Sequence, residues 1–112
     1  MPDRLDYVID AVRMDSTNTS IESCRLWSVT WDQAVSKWSL ANTSSEWKVS
    51  DIVRYIEAGY VFRTLYEVNG QKMIGSQVEV VGKGSAAYLR TDKNPKQADN
   101  LLNLPRLPSH RW

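Results

Sequence analysis

One histidine, one cysteine and one phenylalanine are all that the 112 residues hold of those types, and these shortages exclude whole classes of chemistry. A Ser-His-Asp arrangement needs an ordered histidine beside its nucleophile, and His110 lies near the C-terminus, where chains fray. A structural zinc site draws four ligands from Cys and His, and Cys24 and His110 are the whole supply. No metal site and no cofactor are expected, and the composition points away from an enzyme. One cysteine closes no intramolecular disulfide, so Cys24 is expected as a reduced, buried thiol of a cytoplasmic protein. The opening MPDRLDYVID has no apolar run and carries Asp3 and Asp6, so no signal peptide is expected. No apolar run reaches the ~18 residues that a membrane span requires.

Excess charge is also scarce, at a net +1. Residues 1–57 carry nine acids and six bases, and residues 58–112 four acids and eight bases. The basic half is a weak attractor for anions and lacks the dense Lys/Arg clustering of nucleic-acid-binding domains. What is abundant is tryptophan, five residues against the single Phe. Apolar residues at 42% and charged residues at 24% are those of a globular chain, and the length suits a single domain over 1–112.

Residues 7–13 (YVIDAVR) read as a strand, followed by a polar turn at 15–20. Residues 21–31 alternate in strand fashion. Residues 31–40 fit two periods at once: Trp31, Ala34, Val35 and Trp38 make a helical face, whereas Trp27, Val29 and Trp31 keep period two. Residues 41–46 are polar and loop-like. A helix is expected after Ser50 as N-cap, with Val49, Ile52, Val53 and Ile56 as its apolar stripe and Gly59 as its left-handed stop. Residues 60–68 and 71–81 form a hairpin around Asn69-Gly70, with a bulge at Gly75. Gly82-Lys83-Gly84 then turns into a last strand at 86–91. Because strands flank it, that glycine pair is no phosphate loop. The expected fold is α+β: a small antiparallel sheet of about five strands in β-β-α-β-β-β order, packed by one main helix.

The C-terminal third carries the most specific pattern: Tyr88-Leu89-Arg90-Thr91-Asp92, then Asp99-Asn100-Leu101-Leu102-Asn103-Leu104-Pro105. A YLRT strand, a loop and DNL followed by LP resembles the closing signature of a small bacterial family known only as a domain of unknown function, the one numbered three-eight-nine-two. Trp47, Val49, Ile52, Ile56 and Gly59 resemble that family's helix, residues 7–13 its opening strand, and residues 78–81 its penultimate strand. The resemblance covers most of residues 7–107. It departs over a Trp-rich segment, residues 27–46, and in an expected flexible tail, residues 108–112. It implies a fold and no activity, cofactor or catalytic residue.

Two readings of the signature stand side by side. In one, Arg90 and Asp99 form a charge-assisted pair, Asp99 or Asn100 caps the following turn, and Leu101 and Leu104 close one end of the core as a structural latch. In the other, Arg90, Lys93 and Lys96 form a basic rim for phosphate or carboxylate. The tryptophans divide likewise. Trp47 is expected in the core beside the helix, whereas Trp27, Trp31 and Trp38 either pack as an extra layer or anchor a binding surface. The sequence therefore reads as a bacterial or phage-borne binding, adaptor or inhibitor module that occupies a macromolecular surface, most simply a protein, with self-association as a further use. The alternative is a nucleic-acid or nucleotide-binding accessory protein that uses the basic C-terminal half; membrane association is not expected.

Overall fold

The structure, a computed structural model of the chain, describes residues 4–17, 20–91 and 101–108. Among the described residues eight strands and one α-helix follow in the order β1 (Tyr7–Met14), β2 (Ile21–Asp32), β3 (Lys37–Leu40), β4 (Ser45–Lys48), α1 (Val49–Glu57), β5 (Phe62–Val68), β6 (Gln71–Gln77), β7 (Glu79–Val81) and β8 (Tyr88–Arg90). The chain adopts the α+β class that its sequence leads one to expect.

The main sheet has the order β3-β2-β1-β5-β6, with β4 also on β2. Long β2 is the spine. One of its edges carries β1, and the other carries β4 at Ser23, Cys24, Arg25 and Leu26 and then β3 at Val29, Thr30, Trp31 and Asp32. The ambiguous residues 31–40 are thus a hairpin. Asp32 Oδ1 accepts the Ala34 N–H at 2.9 Å, and Ser36 takes a left-handed φ of 51°, so the tip is a tight turn that leaves no room for a helix. Of residues 41–46, polar and loop-like by sequence, Ser45 and Glu46 instead open strand β4, because β2 offers them a free edge.

The sheet is mixed, not wholly antiparallel. β1 pairs parallel with β5 at Tyr7–Phe62, Val8–Arg63 and Ile9–Thr64. This follows from the intervening helix, since a crossover element brings the chain back to the same end and sends the next strand in the same direction. β7 and β8 form a separate two-stranded sheet, a division that alternation within one sequence run does not reveal.

The helix begins two residues earlier than Ser50 would place it. β4 runs directly into α1 through Lys48, whose extended backbone occupies the N-cap position without a side-chain bond. At the other end the expected glycine stop is present: Gly59 has φ 101°, its N–H reaches Ile56 O at 3.0 Å, and the Tyr60 N–H reaches Tyr55 O at 3.0 Å. That pair of bonds is a Schellman motif. Asn69 and Gly70, with φ 52° and 81°, close the β5–β6 hairpin as its sequence predicts. The Gly75 bulge is also present, since residues 75 and 76 together face Thr64.

Neighbouring residues of a strand point to opposite faces, and Val8 and Ile9 head two separate cores. On the helix side lie Ile9, Val12, Cys24, Leu26, Ile52, Phe62, Val78, Leu101 and Leu104. On the opposite face Leu5, Val8, Val29 and Leu65 form a smaller cluster. A bulge at Asp10 in β1 lets both Ile9 and Val12 face the helix. The displaced Asp10 carboxylate takes two bonds from Arg25, at 2.9 and 3.0 Å.

Candidate functional site

The face away from the helix holds the three candidate tryptophans. Trp27, Val29 and Trp31 alternate along β2, and Trp38 and Leu40 stand across from Trp31 and Val29 on β3. All five side chains therefore share one face. Trp27 and Trp38 pack against the Leu5–Val8–Val29–Leu65 cluster. Trp31 lies further out, edge to face with Trp38 at a centroid distance of 5.2 Å and 69° between planes. The three rings are half-buried, so each is part floor and part surface. Val35 at the tip and Leu40 at the base of the hairpin are exposed. β1 follows β2 only as far as Ser28, so the hairpin's outer rungs pair with each other alone.

A second aromatic group lies on the helix side. Tyr7 stacks on Phe62 at 4.9 Å and meets Trp47 at 5.1 Å, and Tyr55 lies 4.7 Å from Trp47 and 5.0 Å from Tyr60. The Schellman turn brings Tyr55 and Tyr60 together, because it folds residue 60 back onto the last helical turn. The Arg4 guanidinium sits 5.3 Å above the Tyr60 ring and 2.9 Å from Asp6, whose carboxylate also accepts the Val61 N–H at 2.8 Å. Burial first, then Tyr55, Tyr60 and Asp6 nearby, push the Tyr7 phenol above its ordinary range. Trp47, expected in the core beside the helix, is half-buried and packs against that core. Tyr55 and Tyr60 carried no signal of their own; the glycine stop between them was the clue.

Polar side chains line the other end of the tryptophan face. Arg13 makes two bonds to Glu46, at 2.6 and 2.8 Å, and Glu46 also accepts the Ser23 hydroxyl. Arg63, level with Trp27 across Val8, gives its Nε–H to Gly75 O at 2.6 Å. Sequence distance hides this arrangement, since Arg63 comes level with Trp27 only after β5 docks parallel to β1.

Arg90 is exposed and pairs with Glu79, its cross-strand neighbour, at 3.3 Å. Lys93, Lys96, Asp99 and Asn100 lie outside the described residues, and with them the expected Arg90–Asp99 pair and the basic rim. Leu101 and Leu104 are buried in the helix-side core, and the buried Thr91 hydroxyl accepts the Leu101 N–H at 2.9 Å. Thr91 thus ties the YLRT strand to the leucine turn, a role the sequence did not single out.

Cys24 is fully buried, and burial, followed by the charge of Glu46, pushes its thiol up to about 12. Among the described residues no three His, Cys, Asp or Glu side chains come together as a metal site, and no helix is long and apolar enough to cross a membrane. The model of a family described as a protein of unknown function (DUF3892) matches residues 9–105. No curated protein and no solved structure matches.

Proposed function

The chain belongs to the DUF3892 family, and from that premise we propose that it is a non-catalytic cytoplasmic module that occupies a protein surface through its Trp31–Trp38 hairpin. The observation that carries this reading is the edge-to-face tryptophan pair on the hairpin's outer rungs, flanked by exposed Val35 and Leu40. Half-buried indoles on a rigid two-stranded support resemble binding anchors: large contact area, little side-chain entropy left to lose, and a fixed geometry. The cytoplasm suits a lone thiol held protonated and shielded from oxidants.

The two arginines flanking Trp27 favour a protein over a nucleic acid as the partner. Arg25 is committed to Asp10 and Arg63 to a backbone carbonyl, so neither offers a phosphate contact without breaking an internal bond. The test is affinity capture from the native cell with the wild-type chain and with Trp31→Ala/Trp38→Ala. Loss of the captured protein at unchanged circular dichroism is the expected result. An unchanged catch, or capture that collapses with salt and follows added DNA or RNA, overturns the reading.

A further inference from the structure

The C-terminal residues 101–108 are held as a bound peptide is held. β5 accompanies β1 only through the Ile9–Thr64 rung, and beyond it the edge of β1 would lie open. Residues 105–107 fill that edge. The Val12 N–H reaches Pro105 O at 3.0 Å, the Leu107 N–H reaches Val12 O at 2.8 Å, and Val12 pairs parallel with Arg106. The Arg13 guanidinium, fixed by its two bonds to Glu46, donates to Pro108 O and so sets the register at the far end. At the near end a 3-10 turn, Leu101–Asn103, sends Leu101 into the helix-side core, and Leu104 follows it. Backbone bonds to an open strand edge combined with pockets for spaced apolar side chains are the two ingredients of β-addition recognition.

We propose that this slot beside β1 is a peptide-binding groove, that residues 101–108 occupy it in cis, and that a protein partner presenting a Leu-x-x-Leu-Pro-x-Leu stretch takes it in trans. The occupant's chemistry is read from the segment seated there: Leu101 and Leu104 as anchors, Pro105 where no strand N–H is needed, and Leu107 half-buried. Pro105, Arg106 and Pro108 are exposed, so the outer half has little buried surface to keep it in place. Such segments open at a fraction of the free energy of global unfolding. A short covalent link gives the cis segment an effective concentration in the millimolar range. The groove is therefore self-blocked until a partner competes.

Two measurements on the full chain test this. In wild-type protein the Leu107 amide should exchange hydrogen about a hundredfold faster than the slowest amides of β1 and β2, a sign that the segment opens independently. A fluorescent octapeptide of the sequence of residues 101–108 should bind saturably to the Leu104→Ala chain, and about tenfold more weakly to wild type, where the cis segment competes. The octapeptide with Ala at its first and fourth positions should not bind, and adding Arg13→Ala should weaken the complex. Trp31→Ala/Trp38→Ala should leave peptide binding intact, which separates this groove from the hairpin surface. If Leu104→Ala does not fold, Leu107→Ala replaces it, since that side chain is only half-buried. A Leu107 amide as slow as the sheet, or a folded loosened variant that ignores the octapeptide, overturns the proposal.

Discussion

The two aromatic groups of this chain are made of similar rings and held in different ways. Tyr7, Trp47, Tyr55 and Phe62 come from β1, β4, α1 and β5, so their contacts exist only when distant parts of the chain have docked. Trp31 and Trp38 come from the two arms of one hairpin and need little beyond its turn. The first group is what the fold is made from, and the second is carried by the fold. The sharpest way to break this comparison is to remove one ring from each. Phe62 is fully buried, so Phe62→Ala should cost about 4 kcal/mol in transfer and cavity terms. That is a large share of the roughly 5–15 kcal/mol by which a domain is stable. Trp31→Ala should cost about 1 kcal/mol, the worth of one partly exposed aromatic pair. Urea denaturation measures both, and comparable losses would show the hairpin to be part of the core.

A smaller effect sharpens the same contrast through pH. Cys24 sits in the helix-side core, opposite Val12 on one strand and Trp47 on another. Its thiol is pushed from an ordinary 9.0 up to about 12, chiefly by burial. A folded-state value above the unfolded one means that the folded chain retains a proton the unfolded chain releases. The resulting stability is complete below pH 9 and declines as pH rises from there towards about 12. The urea midpoint should therefore fall across that window, and Cys24→Ala should flatten the fall. Trp31→Ala, acting on the other face, should leave the slope as it is. A slope unaffected by Cys24→Ala would assign the alkaline loss to other groups.

Much of the fold was legible in local signals. The Asn69-Gly70 turn, the Gly59 stop and the β1 and β2 strands each follow from a few adjacent residues whose conformational needs allow one outcome. The errors arose where neighbours in space settled the matter. Residues 31–40 fitted a helix and a strand equally well, and the Asp32–Ser36 turn together with the edge of β2 decided for a hairpin. Ser50 is a good cap by type, yet β4 delivers the chain to the helix already extended at Lys48. The parallel β1–β5 pairing leaves no mark on either strand's own pattern. The site divided in the same manner. The tryptophan surplus marked the hairpin, but the Trp27–Val8–Arg63 rung and the Val12–Arg106 bridge join segments far apart in sequence, which periodicity cannot link.

Each face also keeps one buried polar atom without a hydrogen-bond partner among the described residues: Thr64 Oγ1 on the helix side and Trp27 Nε1 on the other. An unpaired buried hydroxyl carries its desolvation penalty with no return. Thr64 is fully buried next to Ile9, in a strand that favours β-branched residues. Thr64→Val keeps the shape and removes the oxygen, so it should stabilise the chain by about 1 kcal/mol. Trp27→Phe removes an unpaired N–H too, but it also shrinks a ring packed on Val8 and Val29, and the two effects should cancel to within about 1 kcal/mol. The contrast follows from the depth of the two faces: on the closed side a polar atom can be deleted without leaving a void, whereas on the open side the ring's volume matters as much as its polarity. Thermal denaturation of the two variants reads the difference directly. A Thr64→Val chain less stable than wild type would mean that the hydroxyl has a partner after all, and that the helix-side core is less dry than its packing implies.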